Sequence, residues 1–293
     1  MPVYSHSRLS TYEKCPLQYR YRYLDRIKRD TQSIEAFLGN RVHDVLETLY
    51  RRLMASERPS LDELVALYHR GWEEAYSEKI TIVKTERGPD HYRGVGERCL
   101  TGYYRRYEPF DQAATVGVEE RVQVALDAGG RYQLQGYVDR LARGGDGAYE
   151  IHDYKTSSNL PSDGDLRRDR QLTVYQMAVQ RRFPDARAIR LVWHYLAFDL
   201  ERISARTPAE IESHRRAAMR LIDTIEAAAD FPPKVSALCR WCEYRDICPA
   251  QKDLLEAEVP SHAARAVGRA PEPQARPKAA PSLDRAEQIE LFD

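Results

Sequence analysis

Two sets of reactive side chains dominate this 293-residue sequence. Cys239, Cys242 and Cys248 form a C-x2-C-x5-C run, and Cys15 lies more than two hundred residues upstream in L-S-T-Y-E-K-C-P-L-Q-Y. Three clustered thiols with a distant fourth suit a metal centre that clips two ends of a domain together. Four thiolates can hold zinc or an iron–sulfur cluster. Between them in the sequence lie His43, Asp139, Asp153 and Lys155. Asp139 ends an expected strand in G-Y-V-D-R, and Asp153 and Lys155 end the next in Y-E-I-H-D-Y-K-T-S. Residues two apart in a strand share a face, so Asp153 and Lys155 point together and the neighbouring strand can bring Asp139 beside them. Two carboxylates make a hard oxygen site for Mg²⁺ or Mn²⁺. A lysine next to such a metal can position a water or offset charge developing on a phosphate.

The elements that must position these groups show as periodicities. Residues 7–29 read as a helix, with Leu9, Tyr12, Tyr19 and Tyr23 near helical spacing and a capping box from Ser10 and Glu13. A second helix is expected over Ala36–Met54, with His43 near its start in G-N-R-V-H-D-V-L-E, and further helices over 61–79 and 91–107. Alternation then predicts strands over Thr115–Leu126, Tyr132–Leu141 and Ala148–Lys155, joined by Gly-rich turns into an antiparallel meander. A helix over about Asp165–Phe183 places Gln171 and Tyr175, four apart, on one face just after the D-Y-K strand. A strand over Ile189–Ala197 and a helix near Pro208–Ala229 complete an α/β body of order α-β-β-β-α-β.

These motifs together resemble the RecB-type branch of the PD-(D/E)xK nuclease superfamily, which includes the nuclease domains of RecB and AddB and CRISPR-associated iron–sulfur exonucleases. The resemblance covers about residues 4–250 and rests on S-R-L-S-T-Y-E-K-C-P, G-N-R-V-H-D-V-L-E, G-Y-V-D-R, H-D-Y-K-T, Q-L-T-V-Y-Q and C-R-W-C-E-Y-R-D-I-C-P. It implies a restriction-endonuclease-like α/β core with an N-terminal helical insertion and an iron–sulfur clip. It implies metal ligation by His43, Asp139, Asp153 and the backbone carbonyl of Tyr154, with Lys155 catalytic and Gln171 and Tyr175 beside the active site and the DNA. It implies that Cys15, Cys239, Cys242 and Cys248 hold a [4Fe–4S] cluster. Either Glu119 or Glu120 could assist on the first strand; the sequence does not choose between them. Cys99 has no partner motif and reads as a small buried hydrophobe.

The balance of 45 basic and 45 acidic residues argues against a purely electrostatic nucleic-acid binder. The cations are nonetheless clustered: Arg20, Arg22, Arg26, Lys28 and Arg29; Arg167, Arg168 and Arg170; Arg181, Arg182, Arg187 and Arg190. Tyr19, Tyr21 and Tyr23 alternate with arginines, a pattern that can stack the bases of a single strand or simply edge a core. No apolar run is long enough to span a membrane, and the N-terminus lacks the apolar core of a signal peptide, so a cytoplasmic location is expected. The nuclease domain is expected over 1–257 and a disordered Pro- and Ala-rich linker over 258–287. The peptide 288–293 resembles the bacterial sliding-clamp-binding motif, with Gln288, Leu291 and Phe292 at its anchor positions. The expected activity is a Mg²⁺- or Mn²⁺-dependent DNA exonuclease acting on single-stranded ends in DNA repair or recombination. The rivals are a CRISPR-adaptation nuclease and a non-catalytic DNA-binding subunit of a helicase–nuclease complex. With no G-x4-G-K-[S/T] run, any unwinding must come from a separate helicase.

Overall fold

The computed structural model describes residues 2–250. The linker at 258–287 and the peptide at 288–293, with Gln288, Leu291 and Phe292, lie outside the described residues.

The first helix differs from the expected one. A short strand, β1 (Val3–Ser5), precedes α1 (His6–Lys14), and Ser5 is the cap, its side chain accepting from the Arg8 amide at 3.1 Å. Ser10 and Glu13 therefore sit inside the helix rather than at its start. Nor is 7–29 continuous. Pro16 forces the residue before it out of helical backbone, so α1 stops at Cys15, which is extended at φ −158°. The chain restarts with proline at the first position of α2 (Pro16–Tyr19) and ends in a π-helical turn over Arg20–Leu24. Cys15 thus stands in a break in the helix.

β2 (Gln32–Ser33) leads into α3 (Ile34–Met54), followed by α4 (Leu61–Ala75), β3 (Ile80–Thr81) and α5 (Pro89–Tyr107). Their apolar stripes form one core cluster, in which Phe37, Val42, Leu46, Leu49, Trp72 and Leu100 pack together with Cys99. Then come β4 (Ala113–Ala125), β5 (Gln133–Gly144) and β6 (Tyr149–Lys155), an antiparallel meander. The long helix expected over Asp165–Phe183 is two: α6 (Asp163–Arg167) and α7 (Arg170–Arg182), because Asp169 caps the second, accepting from the Leu172 amide at 2.8 Å. β7 (Ile189–Tyr195) runs parallel to β6, and β8 (Leu200–Ser204), a strand the alternation did not reveal, closes the edge. After α8 (Pro208–Ala227), two 3₁₀ turns carry the C-terminal cysteines.

The six-stranded sheet lies between two apolar layers. On one side Leu134, Ile151 and Trp193 pack with Leu172 and Val179 of α7 and Ile222 of α8. On the other, Val118 and Tyr154 join the α3–α5 cluster. One detail of the sheet positions the chemistry. β4 lies along one edge of β5, while the other edge is divided: β1 pairs with Gln133–Gln135 and β6 with Arg140–Arg143. Residues 136–139 pair with neither β1 nor β6. Asp139 is therefore in the middle of β5, not at its end as expected, but it marks the point where β6 parts from β5.

Candidate active site

α3 reaches the end of β6 because Gly39 permits it: a Cβ there would stand 3.3 Å from Thr156 Oγ1. One turn on, His43 Nε2 lies 2.9 Å from the Tyr154 carbonyl oxygen and Nδ1 lies 3.6 Å from Asp139 Oδ2. The same Asp139 oxygen accepts from the Tyr154 amide at 2.8 Å, using the backbone group freed where β6 leaves β5. β4 settles which glutamate joins. Val118 faces Arg140 and Glu120 faces Val138, so Glu119 falls opposite Asp139. Its backbone is left-handed (φ 48°), while Glu120 turns away to pair with Arg182 at 2.7 Å. Ligand atoms of His43, Glu119 and Asp139 lie within 4.8 Å of one another. An imidazole, two carboxylates and the adjacent carbonyl form a donor set that fits a hard divalent cation.

Asp153 belongs to a second group. Its Oδ2 is 2.7 Å from Lys155 Nζ, and its Oδ1 accepts from Gln171 Nε2 at 3.1 Å. Lys155 also donates to Gln171 Oε1 at 3.3 Å, and Gln171 Nε2 donates to the Tyr175 hydroxyl at 3.2 Å. The sequence-expected residues thus divide: His43, Asp139 and the Tyr154 carbonyl gather with Glu119, whereas Asp153 gathers with Lys155, Gln171 and Tyr175. Lys155 spans the two, since it also lines the cleft of about 620 Å³ that contains His43, Glu119, Tyr137 and Tyr154.

Several supporting residues escaped the sequence reading. Gly136 seats Tyr175, because a Cβ would fall 2.3 Å from Tyr175 Cε1. The glycine of G-Y-V-D-R is thus a close-approach position. The Tyr154 ring is buried, and its hydroxyl lies 3.2 Å from that of Tyr103, which meets Tyr50 at 2.6 Å; Arg140 donates to Tyr50 at 3.0 Å. This anchor fixes the backbone whose carbonyl faces His43. Only the register and the packing, not spacing in the sequence, pick out these residues.

Cys15, Cys239, Cys242 and Cys248 line one cavity of about 280 Å³, and none is in a disulfide. Backbone amides of Lys234 and Ser236 point at Cys15 and Cys239 Sγ, each at 3.4 Å. Cys99 is buried within α5, away from them. The tyrosines flanking Cys15 are packing residues: Tyr19 is buried, Tyr23 lies against it at 5.2 Å, and Tyr21 packs on Tyr244 at 5.4 Å.

A family model of the PD-(D/E)XK nuclease superfamily matches residues 3–249. The chain belongs to that superfamily. No curated protein matches it. Among solved structures, this nuclease is similar to a candidate exonuclease from Eubacterium rectale, at 13% identity and a TM-score of 0.48 over 83% of this chain and 87% of that one. It is also similar to the protein SSO0001, at 16% identity and a TM-score of 0.35 over 83% and 95% of the two chains. At these TM-scores the assignment rests on the family match. PD-(D/E)XK nucleases are metal-dependent phosphodiester hydrolases, and no helix among the described residues is long and apolar enough to cross a membrane.

The charges of the site respond to its crowding. Burial, then the neighbouring Asp139, pushes Glu119 up to about 7. Burial, then Asp153, pushes Asp139 up to about 6. Burial also raises Asp153, opposed by Lys155; burial alone would lower Lys155, but Asp153 holds it above its ordinary value, so it stays charged. A cation entering the His43–Glu119–Asp139 group must displace the protons held there at low pH. Between pH ~7.5 and ~5.5 its affinity should therefore fall roughly a hundredfold, from two carboxyls that protonate near 7 and 6. Mn²⁺ titration followed by electron paramagnetic resonance checks this. Glu119→Gln should reduce the change to a few-fold; a pH-independent affinity would show that these carboxyls do not take the ion.

Proposed function

We propose that this nuclease is a Mg²⁺- or Mn²⁺-dependent DNA exonuclease that acts on single-stranded ends in repair or recombination. The observation that carries the catalytic part is the meeting of His43, Glu119 and Lys155 in one cleft, with Asp139 grouped against the first two. The exonuclease and single-strand parts draw on the motif resemblance. His43, Glu119, Asp139 and the Tyr154 carbonyl would hold the cation, which supplies polarisation of the phosphate and activation of water. Asp153 keeps Lys155 in place, and its charge adds to the negative potential that draws the ion. Its Oδ2, buried and without a hydrogen-bond donor other than the facing Lys155, keeps a lone pair for the cation. Lys155, held charged, offers its ammonium to a phosphate oxygen. Gln171 fixes both Lys155 and Tyr175. The Tyr175 hydroxyl accepts from Gln171 and, pushed up to about 12 chiefly by burial, keeps its own proton to donate outward.

The test is a time course on end-labelled single- and double-stranded DNA with and without Mn²⁺. Mononucleotides or short fragments should appear from ends of the single strand, only with metal. Cleavage of closed circles at the same rate as linear strands would remove the exonuclease assignment.

The cysteine cavity is assigned to a [4Fe–4S] cluster. Four thiolates in one cavity suit such a cluster, and the C-x2-C-x5-C run with the distant Cys15 matches the motif resemblance. Burial pushes Cys242 up to about 11, so its thiol keeps its proton until iron replaces it.

The C-terminal peptide is assigned to the bacterial sliding clamp, with Leu291 and Phe292 as apolar anchors and Gln288 as the hydrogen-bonding residue. A micromolar affinity, roughly −8 kcal/mol, is expected by calorimetry. Replacing both apolar anchors by alanine should abolish binding but leave cleavage of free DNA unchanged; equal clamp affinity for the two proteins would remove the clamp as a partner.

A further inference from the structure

Most clustered cations of the sequence are already engaged. Arg22 pairs with Glu243, Arg29 with Asp246 at 2.8 Å, Arg170 with Glu13 at 2.7 Å and Arg182 with Glu120 at 2.7 Å. The side chains of Arg26 and Lys28 make no ion pair or hydrogen bond among the described residues. Both line a cleft of about 650 Å³, with Trp241, Tyr244, Thr31 and Ser33 among its walls. The acids of that cleft are spoken for: Glu243 by Arg22, and Asp30 by Lys79 at 3.2 Å. The uncompensated charge in it is therefore positive.

Its place is informative. The cleft meets the active-site cleft at Ala36, in the first turn of α3, and meets the cysteine cavity at Arg22, Trp241 and Glu243. The three hollows are therefore neighbours, and the last of them contains His43 and Lys155. The loop bearing the cations is held in place by the Tyr244 hydroxyl, which donates to the Ile27 carbonyl at 2.9 Å. Arg26 itself is left-handed (φ 54°), a backbone that glycine adopts without strain. An arginine kept there against its backbone preference points to a use for its side chain.

We propose that this cleft holds the phosphodiester backbone of a single nucleic-acid strand on its way to the active site, with Arg26 and Lys28 each neutralising one phosphate. The proposal rests on the nuclease reading and adds the route the strand takes. Cations beside the half-buried Trp241 suit a single strand, whose backbone tracks along a charged groove while a base can meet the indole; Tyr244, itself buried, supports the wall from behind.

The test is a double variant, Arg26→Gly with Lys28→Gln, compared with the parent protein, both on a Lys155→Ala background for binding and both with Lys155 intact for turnover. Binding of a long single-stranded oligonucleotide should weaken roughly tenfold, and the slope of log affinity against log salt should fall by ~1.4, from ~0.7 per lost phosphate contact. Cleavage of a dinucleotide, which reaches the active site alone, should be unchanged. The single Arg26→Gly variant should melt no lower than the parent, because glycine suits the backbone there, so lost affinity cannot be put down to misfolding. Unchanged affinity and salt slope for the long strand overturn the proposal, as does an equal loss on the dinucleotide, which would place the cations at the active site. A loss confined to duplex overturns the single-strand assignment. A parent protein that neither binds nor cuts nucleic acid would instead sink the nuclease reading on which the proposal stands.

Discussion

Asp139→Asn and Lys155→Ala should each lower single-turnover cleavage by roughly a thousandfold or more, the scale lost when a metal ligand or a transition-state charge partner is removed. The two should differ in stability, which makes the prediction sharper than inactivation alone. Asp139 is crowded by Glu119 and Asp153, and its carboxyl is pushed up to about 6. A neutral amide of the same shape relieves that repulsion, so Asp139→Asn should melt at or above the wild-type temperature when metal is absent. Lys155→Ala strips the buried Asp153 of the ammonium 2.7 Å away. Breaking a buried pair from one side typically costs about 3–5 kcal/mol, reduced here because Asp153 can take up a proton. Lys155→Ala should therefore melt lower, and less so at acid pH. A double variant that cuts at the wild-type rate would show the chemistry lies elsewhere.

Cys242→Ser should abolish the iron content and the colour of anaerobically purified protein, for which about four irons per chain are expected from four thiolate ligands. The accompanying loss of stability should be on the order of 5 kcal/mol, the scale of releasing a cross-link that closes a loop of some two hundred residues. Cys15→Ser should behave alike, because both thiols line the same cavity. Cys99→Ser should retain its iron, since that thiol packs in the α3–α5 core. Metal analysis and thermal melting read both effects; stoichiometric zinc without iron would refute the assignment.

How far the site could be read from the sequence depended on the range of the interactions involved. Gln171 and Tyr175 are a helical pair, and four-residue spacing put them on one face, where one amide now touches both Asp153 and Tyr175. Asp153 and Lys155 are a strand pair, and two-residue spacing brought them to 2.7 Å. Glu119 is different in kind. Choosing it over Glu120 needs the pairing of β4 with β5 and a left-handed residue in a strand, neither of which alternation encodes. The role of Gly136 is set by the Tyr175 ring, which comes from α7 and leaves no mark on the strand's own pattern. The main elements were legible because their apolar periods are long. β1 and β8 were not, because three and five residues carry no period of their own and are strands only by virtue of β5 and β7. The helix expected over 7–29 failed at Cys15 because Pro16 outweighs the apolar pattern around it.

The closure of the cysteine cavity has a consequence for how the chain is made. Gln18 meets Glu243, Tyr21 meets Ile247, Ile27 meets Tyr244 and Arg29 meets Asp246 across separations of 217 to 226 residues. Contacts of such range pay their loop-closure entropy before they return anything, so they form late. A chain leaving the ribosome exposes Cys15 more than two hundred residues before its three partners, a delay of ~10–45 s at ~5–20 residues per second. Throughout that interval the first thiol waits alone. Loading of the proposed cluster would therefore follow the emergence of Cys248, and a chain that stops short of Cys239 presents Cys15 without the other three thiols.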